Sequence, residues 1–243
     1  MKNRIFHILL LFILCTGYIA RGADFNSDFY TLNILNKNKA GFHIAIDART
    51  FIAGHLIRAG IFTPEQKNFI LQESTGAQYI YKDNTMRMLR RLTTPANILF
   101  AEVERNAIFT EKQLKVNIKI TSSCKYRYSA TWWVPFELMF IPIQNLEGVV
   151  IKGVEAGKLM EKLPVPKDSK RWGLKQFYPE IIIHCLNRKI SVKGLSSTLV
   201  GLNYYGEKNA ELSIRPMKSK NELETDTDSI LEFGYTINFE KEK

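Results

Sequence analysis

Histidine is scarce in this chain, four residues of 243, and cysteine is scarcer at three. None of the histidines or cysteines shows metal-ligand spacing, so no metal centre is expected. No Gly-X-Ser-X-Gly elbow occurs. Gly194-Leu195-Ser196-Ser197-Thr198 comes nearest and lacks the last glycine. There is no glycine loop of the phosphate-cradling kind, no nucleic-acid-binding motif, and no Asn-X-Ser or Asn-X-Thr sequon despite many asparagines. These absences remove the common hydrolase and nucleotide-dependent frameworks, and no cofactor is expected. They leave a non-enzymatic role as the expectation, with hydrolysis kept open.

Apolar runs long enough to cross a bilayer are lacking too. The run Ile5 to Leu14 is preceded by Lys2 and Arg4 and followed by small residues, which is the layout of a secretory signal peptide over residues 1–22. The remainder, 23–243, then reads as one exported β-rich domain with a possible subdivision near 95–113, placed in the periplasm or at the cell surface. The net charge is +10, three of the basic residues lie in the leader, and an excess of seven remains. Such an excess suits anionic lipid or glycan, while export disfavours nucleic acid. Two cysteines remain outside the leader, Cys124 and Cys185, and in an oxidising compartment a disulfide between them is the default expectation.

The largest concentration of apolar side chains lies between Lys125 and Ile143. Tyr126 and Tyr128 alternate with Lys125 and Arg127 as on a half-buried strand. From Trp132 the alternation stops, and Trp132, Trp133, Phe136 and Phe140 form a candidate apolar binding surface, the alternative being ordinary core. Glu137 is the only charge in this run. Desolvation would raise its proton affinity unless a partner stands beside it, which makes it the carboxylate of most interest.

Strand patterns dominate elsewhere. Residues 29–36 and 41–48 read as a hairpin, Leu114 to Ile120 alternates without a break, residues 180–186, 189–193, 199–205 and 210–214 follow at meander spacing, and Leu231 to Phe239 alternates as an exposed edge. Two or three short helices are expected in the N-terminal half. Thr50 to Phe62 is one candidate. Pro64 to Ser74 is another, begun by the capping box of Thr63-Pro64-Glu65-Gln66, and Thr85 to Leu92 is a third. On that third helix Arg87, Arg90 and Arg91 would come together as an anion-binding face. A further short helical piece is possible near Ala156 to Leu163. The loop around Lys170, Arg171, Trp172 and Lys175 is a second anion-binding candidate, unless Trp172 folds back onto the domain.

The fold class is therefore mostly β, an antiparallel sandwich-like domain with a few helices. The function expected is that of a binding or assembly component of a bacterial envelope or surface structure, such as a fibre subunit, chaperone or adhesive module with a protein partner. A periplasmic carrier of lipid or another apolar small molecule is the alternative.

Overall fold

The computed structural model describes residues 24–34, 41–65, 67–73, 78–94, 96–128, 136–167, 171–217 and 224–242, with positions 68, 79 and 136 described by backbone alone. The expected leader, Trp132, Trp133 and Lys170 lie outside the described residues. Among those residues the chain is almost wholly antiparallel strand, and its helical content is the 3-10 turn Ile143–Asn145.

Among the described residues nine strands make the larger sheet, in the spatial order Lys158–Pro164, Val150–Glu155, Glu180–Cys185, Arg188–Leu195, Ile230–Lys241, Gln113–Ser122, Leu99–Phe109, Thr85–Thr93 and Gln78–Lys82. A second sheet runs Asn68–Glu73, His55–Phe62, Phe136–Pro142, Asn209–Pro216, Thr198–Tyr204 and Trp172–Gly173. The two join where Gln72 and Glu73 leave the second sheet to pair with Thr93 and Leu92 of the first, which makes the whole a near-barrel. A four-stranded sheet, Phe25–Asn26, Thr31–Ile34, Phe42–Ile46 and Arg49–Ile52, caps one end. Tyr30 anchors it there, stacked on Phe239 at 4.4 Å with its hydroxyl donating to the carbonyls of Thr110 and Gln113.

The strict alternation of Gln113–Ser122 and of Ile230–Lys241 is reproduced in the structure. In the former, Leu114, Val116, Ile118 and Ile120 are buried. Ile230–Lys241 is not an edge, however. It lies between Gln113–Ser122 and Arg188–Leu195, with Leu231, Phe233, Tyr235, Ile237 and Phe239 in the core.

All the expected helices are strands. Thr63-Pro64-Glu65 turns a hairpin, with Thr63 N donating to Lys67 O, so the proline presets a turn instead of starting a helix. Thr50 to Phe62 divides into two strands around Ala53 and Gly54. Thr85–Thr93 follows a period of two, with Met86, Met88, Arg90 and Leu92 inward. The inward arginine breaks the apolar pattern and hides that period. At Ala156 and Gly157 the chain turns with both φ angles positive, 48° and 77°, and the segment beyond is the strand Lys158–Pro164.

The expected disulfide is absent: both cysteines are free thiols. Topology explains why. Cys124 follows Ser122 near Ile230, whereas Cys185 pairs with Arg188, which pairs with Lys241. The two therefore sit at opposite ends of Ile230–Lys241, roughly 36 Å apart at about 3.3 Å per residue, far beyond disulfide reach. Protein lacking residues 1–22, denatured without reductant, should react with two equivalents of a thiol reagent. No reaction would show a disulfide.

Candidate functional site

Arg105 sits at an inward position of Leu99–Phe109, in phase with Val103, Ala107 and Phe109, and is among the largest fully buried side chains. Its guanidinium is forked on Glu73, Nη1 to Oε1 at 2.5 Å and Nη2 to Oε2 at 2.9 Å, while Nε donates to Glu137 Oε2 at 3.1 Å. Tyr235 Oη donates to Glu137 Oε1 at 2.8 Å, and His55 Nδ1 lies 3.0 Å from the same oxygen. Arg90 Nη1 is 3.7 Å from Glu73. Arg90, Arg105 and Tyr235 come from the larger sheet, and Glu73, His55 and Glu137 from the second. The cluster is thus an ionic cross-brace between the layers, with its two arginines balanced by two carboxylates.

Local structure accounts for Glu73. Its strand leaves His55–Phe62 after the Arg58–Gln72 pair, and its carboxylate accepts from the amide of Ile57 at 2.9 Å where the ladder stops. Burial pushes the Glu137 carboxyl up. The charge of Arg105, the His55 imidazole 3.0 Å away and the hydrogen bond from Tyr235 overcome that and hold it at about 2. The same burial lowers the basicity of His55 and keeps it neutral, with Glu137 only partly opposing the effect. Gly41 packs against this imidazole at φ +75°, and a Cβ there would overlap the ring. Every carboxylate here is matched and enclosed, an arrangement that holds a fold together and gives no entry to a ligand.

The opposite side of the same strand does face outward. Along Phe136–Pro142, Glu137, Met139 and Ile141 point into the sandwich, so Leu138 and Phe140 belong to the other face of the second sheet, where Leu138 is nonetheless buried. Phe140 is half-buried there, in register with Glu211 on one flanking strand, and Glu211 is in register with Asn203. Arg58 stands on the other flanking strand, in register with position 136. Burial raises the Glu211 carboxyl, Arg58 opposes that rise, and Glu207 adds to it. Arg215 stacks on Phe177 at 3.9 Å, and Phe177 lies over Gly201. Two cations, a carboxylate of raised proton affinity, a side-chain amide and two aromatic rings therefore share one sheet face.

The sequence-derived candidates separate accordingly. Phe140 is on this face, whereas Trp132 and Trp133 are not described. Arg87 and Arg91 are exposed and Arg90 is buried, so the three do not form one anion-binding face: a strand sends alternate residues to opposite sides. Arg87 is paired with Glu104 at 2.8 Å. Trp172 packs on Tyr204 at 5.6 Å against the core, while Arg171 and Lys175 are exposed. The inward Arg105, Glu73 and His55 were not anticipated from sequence. The sign available was a charge in the apolar phase of an alternating strand.

No protein-family model matches this sequence, and no curated protein matches it. Solved structures do match its fold. A protein from Synechocystis sp. PCC 6803 aligns with a TM-score of 0.59 at 11% identity, over 88% of this chain and 93% of that one. A galactose mutarotase-like protein from Lactobacillus casei ATCC 334 gives 0.58 at 6%, over 89% and 99%. A galactose mutarotase related enzyme from Lactobacillus acidophilus gives 0.56 at 9%, over 89% and 96%. The chain thus shares, over most of its length, the fold of galactose mutarotase-like proteins. This overturns the expected fibre subunit, chaperone or adhesive module, and the lipid carrier with it. The expectation of a non-enzymatic protein gains no support, because structures of this fold include one described as an enzyme.

Glu137 is held near 2 in the fold and titrates near 4.5 when unfolded, so its contribution to stability is complete above 4.5 and is lost as pH falls toward 2. That loss should amount to about 3 kcal/mol. Glu137→Gln, which leaves Arg105 with one charged partner fewer, should cost about 3–5 kcal/mol at pH 7 and flatten the acid limb. Urea titrations at pH 7, 4 and 3 measure both.

Proposed function

We propose that this protein binds carbohydrate on the outer face of the second sheet, through Arg58, Asn203, Glu211 and Arg215, with Phe140 beneath the sugar ring. The observation that carries this reading is the fold shared with galactose mutarotase-like proteins over nearly the whole chain. The chemistry of the face agrees with it. Sugar hydroxyls both donate and accept, and the guanidinium, amide and carboxylate groups meet both needs, while aromatic faces suit the C–H side of a pyranose.

The raised proton affinity of Glu211 favours a catalytic extension, epimerisation at C1 of an aldose. That reaction requires a proton taken from the anomeric hydroxyl and one delivered to the ring oxygen, so that the ring opens and recloses on the other face. A carboxyl group whose pKa lies closer to neutral than usual performs either transfer. The buried Glu137 and His55 have no part in it, because they hold the sheets together out of reach of a substrate.

Calorimetric titration with neutral mono- and disaccharides, beginning with D-galactose, tests the binding. Arg58→Ala and Glu211→Gln should each weaken affinity about tenfold or more, equivalent to about 1.4 kcal/mol, without shifting the thermal midpoint. Polarimetry on freshly dissolved α-D-galactose tests the catalysis, which Glu211→Gln should remove. Failure of every neutral saccharide to bind would overturn the reading.

A further inference from the structure

On the other side of the sandwich, the outer face of the larger sheet carries a groove of about 260 Å³. Its floor follows from register. Asn106, Asn117 and Gly234 are partners across three successive strands, and Gly234 is the partner of Leu195 on a fourth. Where the row would place a side chain, Gly234 has none. A Cβ there would lie 2.6 Å from the Val116 carbonyl and 3.0 Å from Asn117 Oδ1, so the backbone stays bare between the amide of Asn117 and the half-exposed Leu195. Ser196, exposed at the tip of its hairpin, lines the groove together with Lys119 and Glu232, which are themselves register partners.

The lining is suited to an uncharged polyol. The Asn106 amide is held by donating to Glu104 Oε1 at 2.9 Å, while the side chain of Asn117 makes no hydrogen bond to another described residue. An asparagine offers two donors and an acceptor, and a serine hydroxyl offers both. Lys119 and Glu232, as register partners, bring one charge of each sign to the groove, so its lining carries no net charge from this pair. Small-molecule pockets usually measure about 300–1,000 Å³, so this groove has room for one ring and no more. Its bare glycine floor and the Leu195 edge supply the apolar contact.

We propose that this groove is a second sugar subsite, taking one neutral pyranose ring or the terminal residue of a neutral oligosaccharide. The identity of the ligand class rests on the carbohydrate reading above, whereas the place is set by the groove itself.

Amide-resolved NMR on the folded protein tests it, with a panel of neutral mono- and disaccharides and with sodium phosphate as the anionic probe. A neutral sugar should shift the signals of Asn117, Lys119, Ser196 and Glu232 as a set distinct from the set around Arg58 and Glu211. The double variant Asn117→Ala, Ser196→Ala should weaken the groove response tenfold or more and leave the Arg58–Glu211 set in place. Glu211→Gln should do the reverse. A sugar response confined to the Arg58–Glu211 face would overturn the second site and leave the carbohydrate reading standing. A groove that responds to phosphate and not to sugar would overturn it in favour of an anion site. Failure of every sugar at both faces would overturn both readings.

Discussion

Arg105 carries a full charge into the middle of an apolar sandwich, and the carboxylates of Glu73 and Glu137 make that position tolerable. An unmatched ion in such surroundings costs several kcal/mol, so the pairing also demands that three strands from two layers arrive in one register. A one-residue slip of Phe136–Pro142 would turn Glu137 outward and leave Arg105 with an unmet charge. The brace therefore sets the phase of that strand, and the phase in turn presents position 140 to solvent beside Glu211. The buried interaction and the exposed face are two sides of one alternation.

The contrast between the faces explains why the fully buried acids are the wrong place to look for chemistry. Glu137 is held deprotonated near 2 by a cation, an imidazole and a phenol, so it neither gives nor takes a proton at ordinary pH. Glu211 is half in solvent and only partly opposed by Arg58. A group poised to exchange protons needs that intermediate setting, wet enough for a ligand to reach it and dry enough to shift its affinity.

Much of the β architecture could be read from the chain. Gln113–Ser122 and Ile230–Lys241 announce themselves because every second residue is large and apolar. Thr85–Thr93 does not, because Arg90 occupies an inward place and makes Met86, Met88 and Leu92 look like a helical stripe. Thr63-Pro64-Glu65 offers the same ambiguity, since proline fits the first turn of a helix and the second position of a β-turn equally well. Glu137 could be singled out as a lone charge in an apolar run, but its partners could not. Arg105, Glu73 and His55 are tens of residues away, and only the pairing of strands brings them together. Glu211, Asn203 and Arg58 are ordinary polar residues of alternating strands until the sheet order puts them on one face.

Several rings in this protein rest on glycines. Tyr178 lies across Gly153 and Phe177 across Gly201, so close that a methyl group on the glycine would come within 2.5 and 2.9 Å of ring atoms and force the ring to shift. Each pair is a shared volume divided unequally between two strands, and neither member can change alone: enlarging the glycine displaces the ring, and shrinking the ring uncovers bare backbone. Among divergent descendants of this chain such positions should drift together, so that a methyl gained at 153 or 201 is accompanied by a smaller residue at 178 or 177. Sequences that share almost no residues can in this way preserve the same surface contour.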